Sequence, residues 1–213
     1  MAEGRVLVDG RYVTNPRARV PVGCSFVVRA DHGLRGEPKL RAALDTFGVD
    51  ARGRVALDAG AAAGGFTRAL LDAGAARVYA VDAGHGQLVG SLRQDPRVVN
   101  LEGVNLAGLT PALLPEPVGL VTLDLSYLSL CQAVPQLAGR VPLAASCELI
   151  ALVKPMFELH LATAPTDAAA VARAVATARH GVSAAGWDVI GTAPSPVAGA
   201  RGAQEALLHA RRS

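Results

Sequence analysis

The chain has 213 residues, of which 51% are hydrophobic, and a formal net charge of +3. This length suits one α/β domain with a small appendage, and so mild a charge permits an RNA partner without arguing for one. No window approaches the ~20 apolar residues of a membrane span, and no signal sequence opens the chain. The three cysteines lack C-x-x-C spacing, which predicts reduced thiols in a cytoplasmic protein.

Residues 1–30 are predicted to form short β structure. A hairpin is indicated around Asp9-Gly10, a dipeptide that favours a tight primed turn, and residues 20–28 supply a further strand. A segment of this size has to pack on something else to be stable. Several arginines make it basic, and charged strand edges in solvent explain them as well as an RNA contact does.

A linker and a helix are predicted for residues 31–53. Pro38 suits the first turn of a helix, and Gly48 suits its end. Lys39 lies in that first turn, where a lysine is in most cases simply exposed. However, only two of the 21 basic residues are lysines, Lys39 and Lys154. Because an ammonium can lose its proton and a guanidinium cannot, both positions are candidates for chemistry.

From residue 54 to residue 213, strands and helices alternate, which is typical of a parallel sheet covered by helices on both faces. The predicted strands are 55–58, 77–81, 97–101, 118–124, 148–153, 187–193 and 204–210. The predicted helices are 66–73, 87–93, 107–114, 129–139 and 166–185, the last with Thr166 as its N-cap. The sequence therefore predicts an α/β domain over residues 54–213.

A glycine-rich bend follows the first strand of this domain. An apolar run ends in Asp58, and Gly60, Gly64 and Gly65 separate it from a helix that begins near Phe66. Glycines let the backbone turn sharply and approach a ligand closely. A carboxylate before them repels a pyrophosphate but suits the ammonium of an amino-acid-like cofactor such as S-adenosylmethionine (SAM). The stretch by itself leaves other ligands equally open.

Ionisable residues also end other strands of the predicted sheet. Asp82 follows the second strand, where a carboxylate can accept hydrogen bonds from ribose hydroxyls, while Asp124 and Lys154 end the fourth and fifth. The carboxyl ends of parallel strands meet at one edge, so these side chains face one pocket. Asp124 and Lys154 form either a structural ion pair or a lysine site beside a reacting hydroxyl. The five histidines are scattered, and no metal site is predicted.

Five motifs together resemble the hemolysin A-type (TlyA-like) ribosomal RNA 2′-O-methyltransferases, which belong to the FtsJ-like branch of the SAM-dependent methyltransferases. The motifs are Leu57–Thr67, Val78–Leu88, Leu92–Val98, Leu123–Ser129 and Leu152–Glu158. The likeness extends from about Gly4 to Leu208. It implies a Rossmann-like sheet of seven strands whose last strand is antiparallel, preceded by a β appendage similar to part of an S4 RNA-binding domain.

The resemblance also assigns roles to individual residues. The family's catalytic Lys-Asp-Lys-Glu set matches Lys39, Asp124, Lys154 and Glu205, although an acid like Glu205 is by itself most often simply exposed. Lys154 would take or steer the proton of a ribose 2′-hydroxyl, Asp124 would position it, and Lys39 and Glu205 would hold the hydroxyl in line. The implied cofactor contacts are Asp58, Gly60, Ala61, Gly64, Gly65 and Phe66 at the methionine end, Asp82 at the ribose, Asn105 at the adenine, and Asp124.

The chain departs from this family where the family handles its substrate. The family's two S4 helices have no counterpart at the start of the chain, which indicates either a misplaced start or a truncated RNA-binding part, and Glu37 and Pro38 stand beside Lys39. The segment 159–164 is short and apolar where the family has a basic loop, and Ala203 replaces an asparagine. Losing basic elements weakens RNA affinity. The expected function is 2′-O-methylation of RNA, on a ribosomal subunit. The alternatives are a SAM-fold enzyme acting on a small molecule and a non-catalytic SAM- or RNA-binding module.

Overall fold

Strands and helices alternate along the chain from Val55 onward, as the hydrophobic pattern predicts. The computed structural model describes residues 6–13, 18–28, 34–165, 167–199 and 202–212. Its strands are β1 Val6–Val8, β2 Arg11–Tyr12, β3 Phe26–Val28, β4 Val55–Ala59, β5 Arg77–Asp82, β6 Val98–Glu102, β7 Val118–Leu123, β8 Leu143–Val153, β9 Trp187–Pro194 and β10 Ala206–Arg212. Its α-helices are α1 Glu37–Phe47, α2 Gly65–Asp72, α3 Gly90–Arg93, α4 Leu130–Ala133, α5 Pro155–Glu158 and α6 Ala168–Ala184.

The main sheet has seven strands in the order β6-β5-β4-β7-β8-β10-β9. Strands β4 to β8 run parallel to one another, and β10 is antiparallel to both β8 and β9. The prediction of seven strands with an antiparallel last strand is confirmed. The chain leaves β4 in one direction towards β5 and β6, and returns to the other side as β7 and β8. This reversal opens a crevice at the carboxyl ends of β4 and β7, where such sheets bind ligands.

Two apolar layers cover the faces of this sheet. Successive residues of a strand point to opposite faces, so Leu149 joins the core beneath α4 and α6 and Ile150 joins the core beneath α1 and α2. The buried residues of α6 are three alanines and a valine, Ala170, Ala174, Ala178 and Val182. None of the helices in the described ranges is long and apolar enough to cross a bilayer.

The N-terminal segment forms a separate antiparallel sheet in the order β2-β1-β3. Asp9 and Gly10 both have positive φ, 47° and 78°, which confirms the predicted primed turn. The Asp9 carboxylate also accepts the backbone N–H of Ser25 at 2.8 Å. The predicted strand at 20–28 is shorter, because only Phe26–Val28 pair with β1. Residues 1–5, 14–17 and 29–30 of the predicted segment lie outside the described ranges.

Several element boundaries differ from their prediction for local reasons. The helix predicted at 129–139 divides into α4 and a 3-10 helix, Val134–Leu137, because Pro135 has no N–H to donate. The helix predicted from residue 87 starts at Gly90, since the N–H groups of Gln87 and Leu88 donate to the Glu102 carboxylate. The N-cap of α6 is Asp167, which accepts the N–H of Ala170, while the predicted N-cap, Thr166, lies outside the described residues. The predicted helix at 107–114 is a single 3-10 turn, Leu106–Gly108. Strand β8 begins earlier than predicted, at Leu143.

A buried carboxylate ties three strands together at the amino end of the parallel strands. Glu148 contacts Arg54 at 2.6 Å, Arg211 at 3.0 Å and His209 at 3.1 Å. Although burial acts in the opposite direction, hydrogen bonds from Arg211 and Arg54 lower the pKa of the Glu148 carboxyl below its ordinary 4.5. Burial also lowers the pKa of His209, which favours its neutral ring beside the two guanidinium groups. The network therefore depends on a charged Glu148.

Glu148→Gln should lower the free energy of unfolding by about 2–3 kcal/mol near neutral pH, because it removes the charge that compensates two arginines. A carboxyl with a lowered pKa in the folded chain stabilises the fold above pH 4.5 and loses that contribution as the pH falls further. The difference between variant and parent should therefore narrow in acid. Urea unfolding at neutral and acidic pH measures both effects. Asp45→Asn, at an exposed position of α1, is the control, and an equal loss in both variants would contradict the prediction.

Candidate active site

The bend after β4 brings two strand ends into contact. Gly60 has a φ of 90°, and its N–H and that of Ala61 donate to the carbonyl of Val81 at 2.9 and 3.0 Å. A Cβ atom added to Gly60 would overlap the backbone carbonyl of Asp124. A residue with a side chain therefore cannot occupy position 60 without moving β4 and β7 apart, and the crevice beyond them depends on this glycine.

Asp58 lies inside β4 and beneath the bend, fully buried. Its carboxylate accepts the hydroxyl of Thr67 in α2 at 2.6 Å and that of Thr122 in β7 at 3.2 Å. Burial raises the pKa of this carboxyl to about 7. The residues lining the crevice do not include Asp58. The structure therefore does not bring Asp58 to the predicted cofactor site. The hydrogen bonds of its carboxylate instead connect α2 to the sheet.

A cavity of about 250 Å³ lies at the end of β5. Asp82 lines it and is held in place by the N–H groups of Ala62 at 2.8 Å and Gly84 at 2.7 Å. A carboxylate has about four acceptor sites, so Asp82 keeps acceptor capacity for the ribose hydroxyls that the sequence predicts here. The other wall is apolar and aromatic, with Leu106 and Tyr127. This shape suits a flat base with a ribose beside it.

Two other residues predicted to bind the cofactor face elsewhere. The side-chain oxygen of Asn105 accepts the N–H of Gly108 at 2.8 Å and caps a 3-10 turn, and Asn105 does not line the cavity. A Cβ on Gly64 would overlap the side chain of Leu92. Gly64 is therefore needed for the packing of α2 against α3.

A second cavity of about 200 Å³ lies between the starts of α1 and α2. Ala61, Gly65 and Phe66 line it, as the resemblance implies for the methionine end of the cofactor, together with Arg35 and Lys39. The two helices approach closely here. A Cβ on Gly65 would lie only 2.8 Å from the Cα of Gly36, so this approach requires a glycine at position 65.

The largest cavity of the cleft, about 710 Å³, adjoins both of these. All three share Gly60, Ala62 and Asp124 in their walls, so they form one continuous cleft. Its apolar wall includes Met156 and Phe157 from the segment after β8. A cleft with one arm for a nucleoside, one for an amino-acid end and one open cavity can hold two reactants at once.

The four predicted catalytic residues come together in this third cavity as two ion pairs. Lys39 Nζ lies 2.5 Å from Glu205 Oε2, and both side chains are about 95% buried (5% and 6% exposed). Lys154 Nζ lies 2.7 Å from Asp124 Oδ1, with side-chain exposures of 15% and 22%. Lys154 also donates to the Ser126 hydroxyl at 2.9 Å. The first pair is thus embedded in the wall, and the second is open to the cavity.

Sequence reasoning misses two residues of the cleft. Ser126 lies in the Leu123–Ser129 motif, and its hydroxyl accepts a hydrogen bond from Lys154. Arg35 lies four residues before Lys39 and lines the second and third cavities. The motif that contains Ser126 could have identified this residue, whereas nothing in the spacing of the sequence identifies Arg35. No cluster of metal ligands occurs within the described ranges.

The residues of the cleft fit SAM, since the Gly60 bend leaves room for a ligand backbone and Asp82 offers acceptors beside the nucleoside arm. Fold and cleft together define the class of SAM-dependent methyltransferases. A sequence profile of the FtsJ-like methyltransferases matches residues 34–212. The chain belongs to this family, which confirms the predicted cofactor.

Relatives of known sequence and structure agree with this assignment. The 16S/23S rRNA (cytidine-2′-O)-methyltransferase TlyA of Mycobacterium tuberculosis is 39% identical over 217 residues, which cover 98% of this chain and 80% of the relative. A solved structure from Streptococcus thermophilus, described as a hemolysin, is 30% identical with a TM-score of 0.79, covering 100% of this chain and 80% of that one. A SAM-dependent methyltransferase of Mesorhizobium loti, 17% identical with a TM-score of 0.58 over 86% of this chain and 100% of its own, shares the fold alone.

Gly60→Ala should unfold more easily and lose cofactor affinity, because its Cβ collides with the Asp124 backbone. Gly139→Ala is the matched control, since Gly139 also has positive φ, 72°, but has open space where the Cβ would go. Both variants carry the backbone strain of about 1–2 kcal/mol, and Gly60→Ala alone adds about 1–3 kcal/mol of overpacking. Calorimetry should show S-adenosylhomocysteine binding weakened at least ~10-fold in Gly60→Ala and unchanged in Gly139→Ala. Equal binding in both would mean that the cleft tolerates a side chain at position 60.

Proposed function

We propose that this chain transfers the methyl group of SAM to a ribose 2′-hydroxyl of ribosomal RNA. The observation that carries the proposal is the pair of lysine–carboxylate bridges, Lys39–Glu205 and Lys154–Asp124, in one cavity next to the cofactor arms of the cleft. The relative from M. tuberculosis is named for cytidine 2′-O-methylation of 16S and 23S rRNA, which supports a cytidine of a ribosomal subunit as the target. A ribosomal substrate places the enzyme in the cytoplasm.

Lys154 is the residue placed to remove the proton of the hydroxyl. In the resting ion pair Lys154 is an ammonium, and the amine that accepts the hydroxyl proton forms when this ammonium releases a proton to solvent. The two hydrogens that remain are engaged by the contacts at 2.7 Å to Asp124 and 2.9 Å to Ser126. The nitrogen lone pair is then left for the substrate. The ribose oxygen bonds to the methyl carbon, the carbon–sulfur bond breaks with its electrons remaining on sulfur, and the hydroxyl proton passes to Nζ. The bound cofactor supplies the methyl group on a positively charged sulfur.

Lys39 holds the substrate from the part of the wall where it is paired with Glu205. Glu205 engages only part of its donor capacity, because an ammonium has three N–H groups and the contact is to a single carboxylate oxygen. The remaining donors suit the ribose oxygen or the adjoining phosphate. Since the pair is buried, its position varies little, and the hydroxyl is held in line with the methyl group before reaction.

A second candidate substrate is a small hydroxyl compound. It is favoured by the wall of the large cavity, where Met156, Phe157 and residues 162–164 are mostly apolar and carry no cation. RNA has to obtain its phosphate contacts from the other walls of this cavity, where Arg35 and Lys39 lie.

Lys154→Ala should slow single-turnover methyl transfer by about 10²- to 10⁴-fold, as expected for loss of a general base, while S-adenosylhomocysteine affinity stays within about threefold. Lys154→Arg keeps the charge but cannot accept a proton, so it should be as slow as the alanine variant. Rapid-quench assays with labelled SAM, paired with calorimetry, make the comparison. Restored turnover in Lys154→Arg would show that Lys154 acts only as a charge.

Purified ribosomal subunits incubated with labelled SAM should acquire 2′-O-methylcytidine, detected by nucleoside mass spectrometry. A synthetic RNA fragment containing the modified position should be methylated, and the same fragment with 2′-deoxycytidine there should not be, because the nucleophile is missing. Label on a base or on protein would contradict 2′-O-methylation. Label confined to small hydroxyl compounds would instead support the second candidate.

A further inference from the structure

The methionine end of SAM carries an ammonium and a carboxylate, and the structure leaves the partner of that carboxylate to be identified. Asp58 is withdrawn from the cleft by its bonds to two threonine hydroxyls. The charged side chains that line the cavity between α1 and α2 are Arg35, Lys39 and Asp124. We infer that Arg35 binds the carboxylate of the cofactor's methionine end.

Arg35 differs from the two lysines of the cleft in its ion pairing. Lys39 is paired with Glu205 at 2.5 Å, and Lys154 is paired with Asp124 at 2.7 Å. Among the described residues, no acid forms an ion pair with Arg35. The positive charge at this wall is therefore available to an anion that enters the cleft.

The backbone holds Arg35 in place beside the bend. Arg35 is the second residue of a turn closed by the hydrogen bond from the Glu37 N–H to the Leu34 carbonyl at 2.8 Å. The next residue, Gly36, lies against the start of α2, where a Cβ on Gly65 would be 2.8 Å from the Cα of Gly36. Residue 35 is thus fixed next to Ala61 and Phe66, which line the same cavity.

The chemistry of the side chain suits a carboxylate. A guanidinium is planar and can offer two parallel N–H groups to the two oxygens of a carboxylate, an arrangement that an ammonium cannot make. Arg35 also lines the large substrate cavity, so a phosphodiester oxygen of RNA is the competing anion. The experiment has to separate these two.

Two probes differ only in the group that Arg35 is inferred to bind. S-adenosylhomocysteine has the amino-acid end, whereas 5′-methylthioadenosine has the same nucleoside and sulfur without it. Arg35→Ala should weaken S-adenosylhomocysteine binding about 10- to 100-fold, as for a lost charge-assisted pair, and change 5′-methylthioadenosine binding less than about twofold. Arg35→Lys should fall between parent and alanine variant for the first probe only. Calorimetry on the full chain measures all of these without any methyl transfer.

Arg41→Ala is the matched control, because Arg41 is on α1 and pairs with Glu37 and Asp72 away from the cleft; it should bind both probes as the parent does. Equal loss of both probes in Arg35→Ala would overturn the inference, since it would mean a general disturbance of the cleft. Unchanged S-adenosylhomocysteine affinity together with weaker RNA binding would also overturn it and assign Arg35 to a phosphate. Since RNA is not needed for the probe measurements, their outcome is independent of the proposed substrate.

Discussion

The buried ion pair between Lys39 and Glu205 joins parts of the chain that are 166 residues apart. Removing either charge from water alone is costly, and the cost is offset only when both are buried together in good geometry. The first turn of α1 and the residue before β10 therefore have to meet at one place. Their meeting point forms part of the wall of the large cavity, which Lys154 also lines. An electrostatic constraint thus helps to shape the substrate arm of the cleft.

The rest of the sheet explains why ionisable groups gather at one edge. Its central strands are covered on both faces, so a charge within them is unfavourable unless it is paired or neutralised. Asp124 and Lys154 avoid this by lying just beyond β7 and β8, and Asp82 by lying at the end of β5. Asp58 remains inside β4, where burial raises its pKa to about 7. An acid next to an apolar run of the sequence therefore has one of two roles. It lines the cleft when it lies at or beyond the end of its strand, and it stabilises the fold when it lies inside the strand.

Much of this arrangement could be predicted from the sequence because apolar runs and the residues that end them are local features. The seven strands, the glycine bend and the two lysines follow from such patterns. The position of Asp58 could not, because extending β4 by one residue, to Ala59, takes its carboxylate from the edge into register with Thr122. The contacts of Asn105 and Arg35 could not be predicted either. Asn105 caps a 3-10 turn and Arg35 lines two cavities, and both contacts depend on the three-dimensional structure. The family resemblance placed Glu205, which periodicity alone would have left on the surface.

The position of β10 has a consequence for the order in which the enzyme becomes complete. This strand is synthesised after β8 and β9, yet it pairs with both and lies between them. A nascent chain that has not yet released it from the ribosome lacks Glu205, leaves Lys39 without its counter-charge, and keeps β8 as an open edge. The cofactor arms, built from β4, β5 and β7, can form earlier. A chain in the course of synthesis can therefore complete the walls of its cofactor arms before β10 brings Glu205 to Lys39.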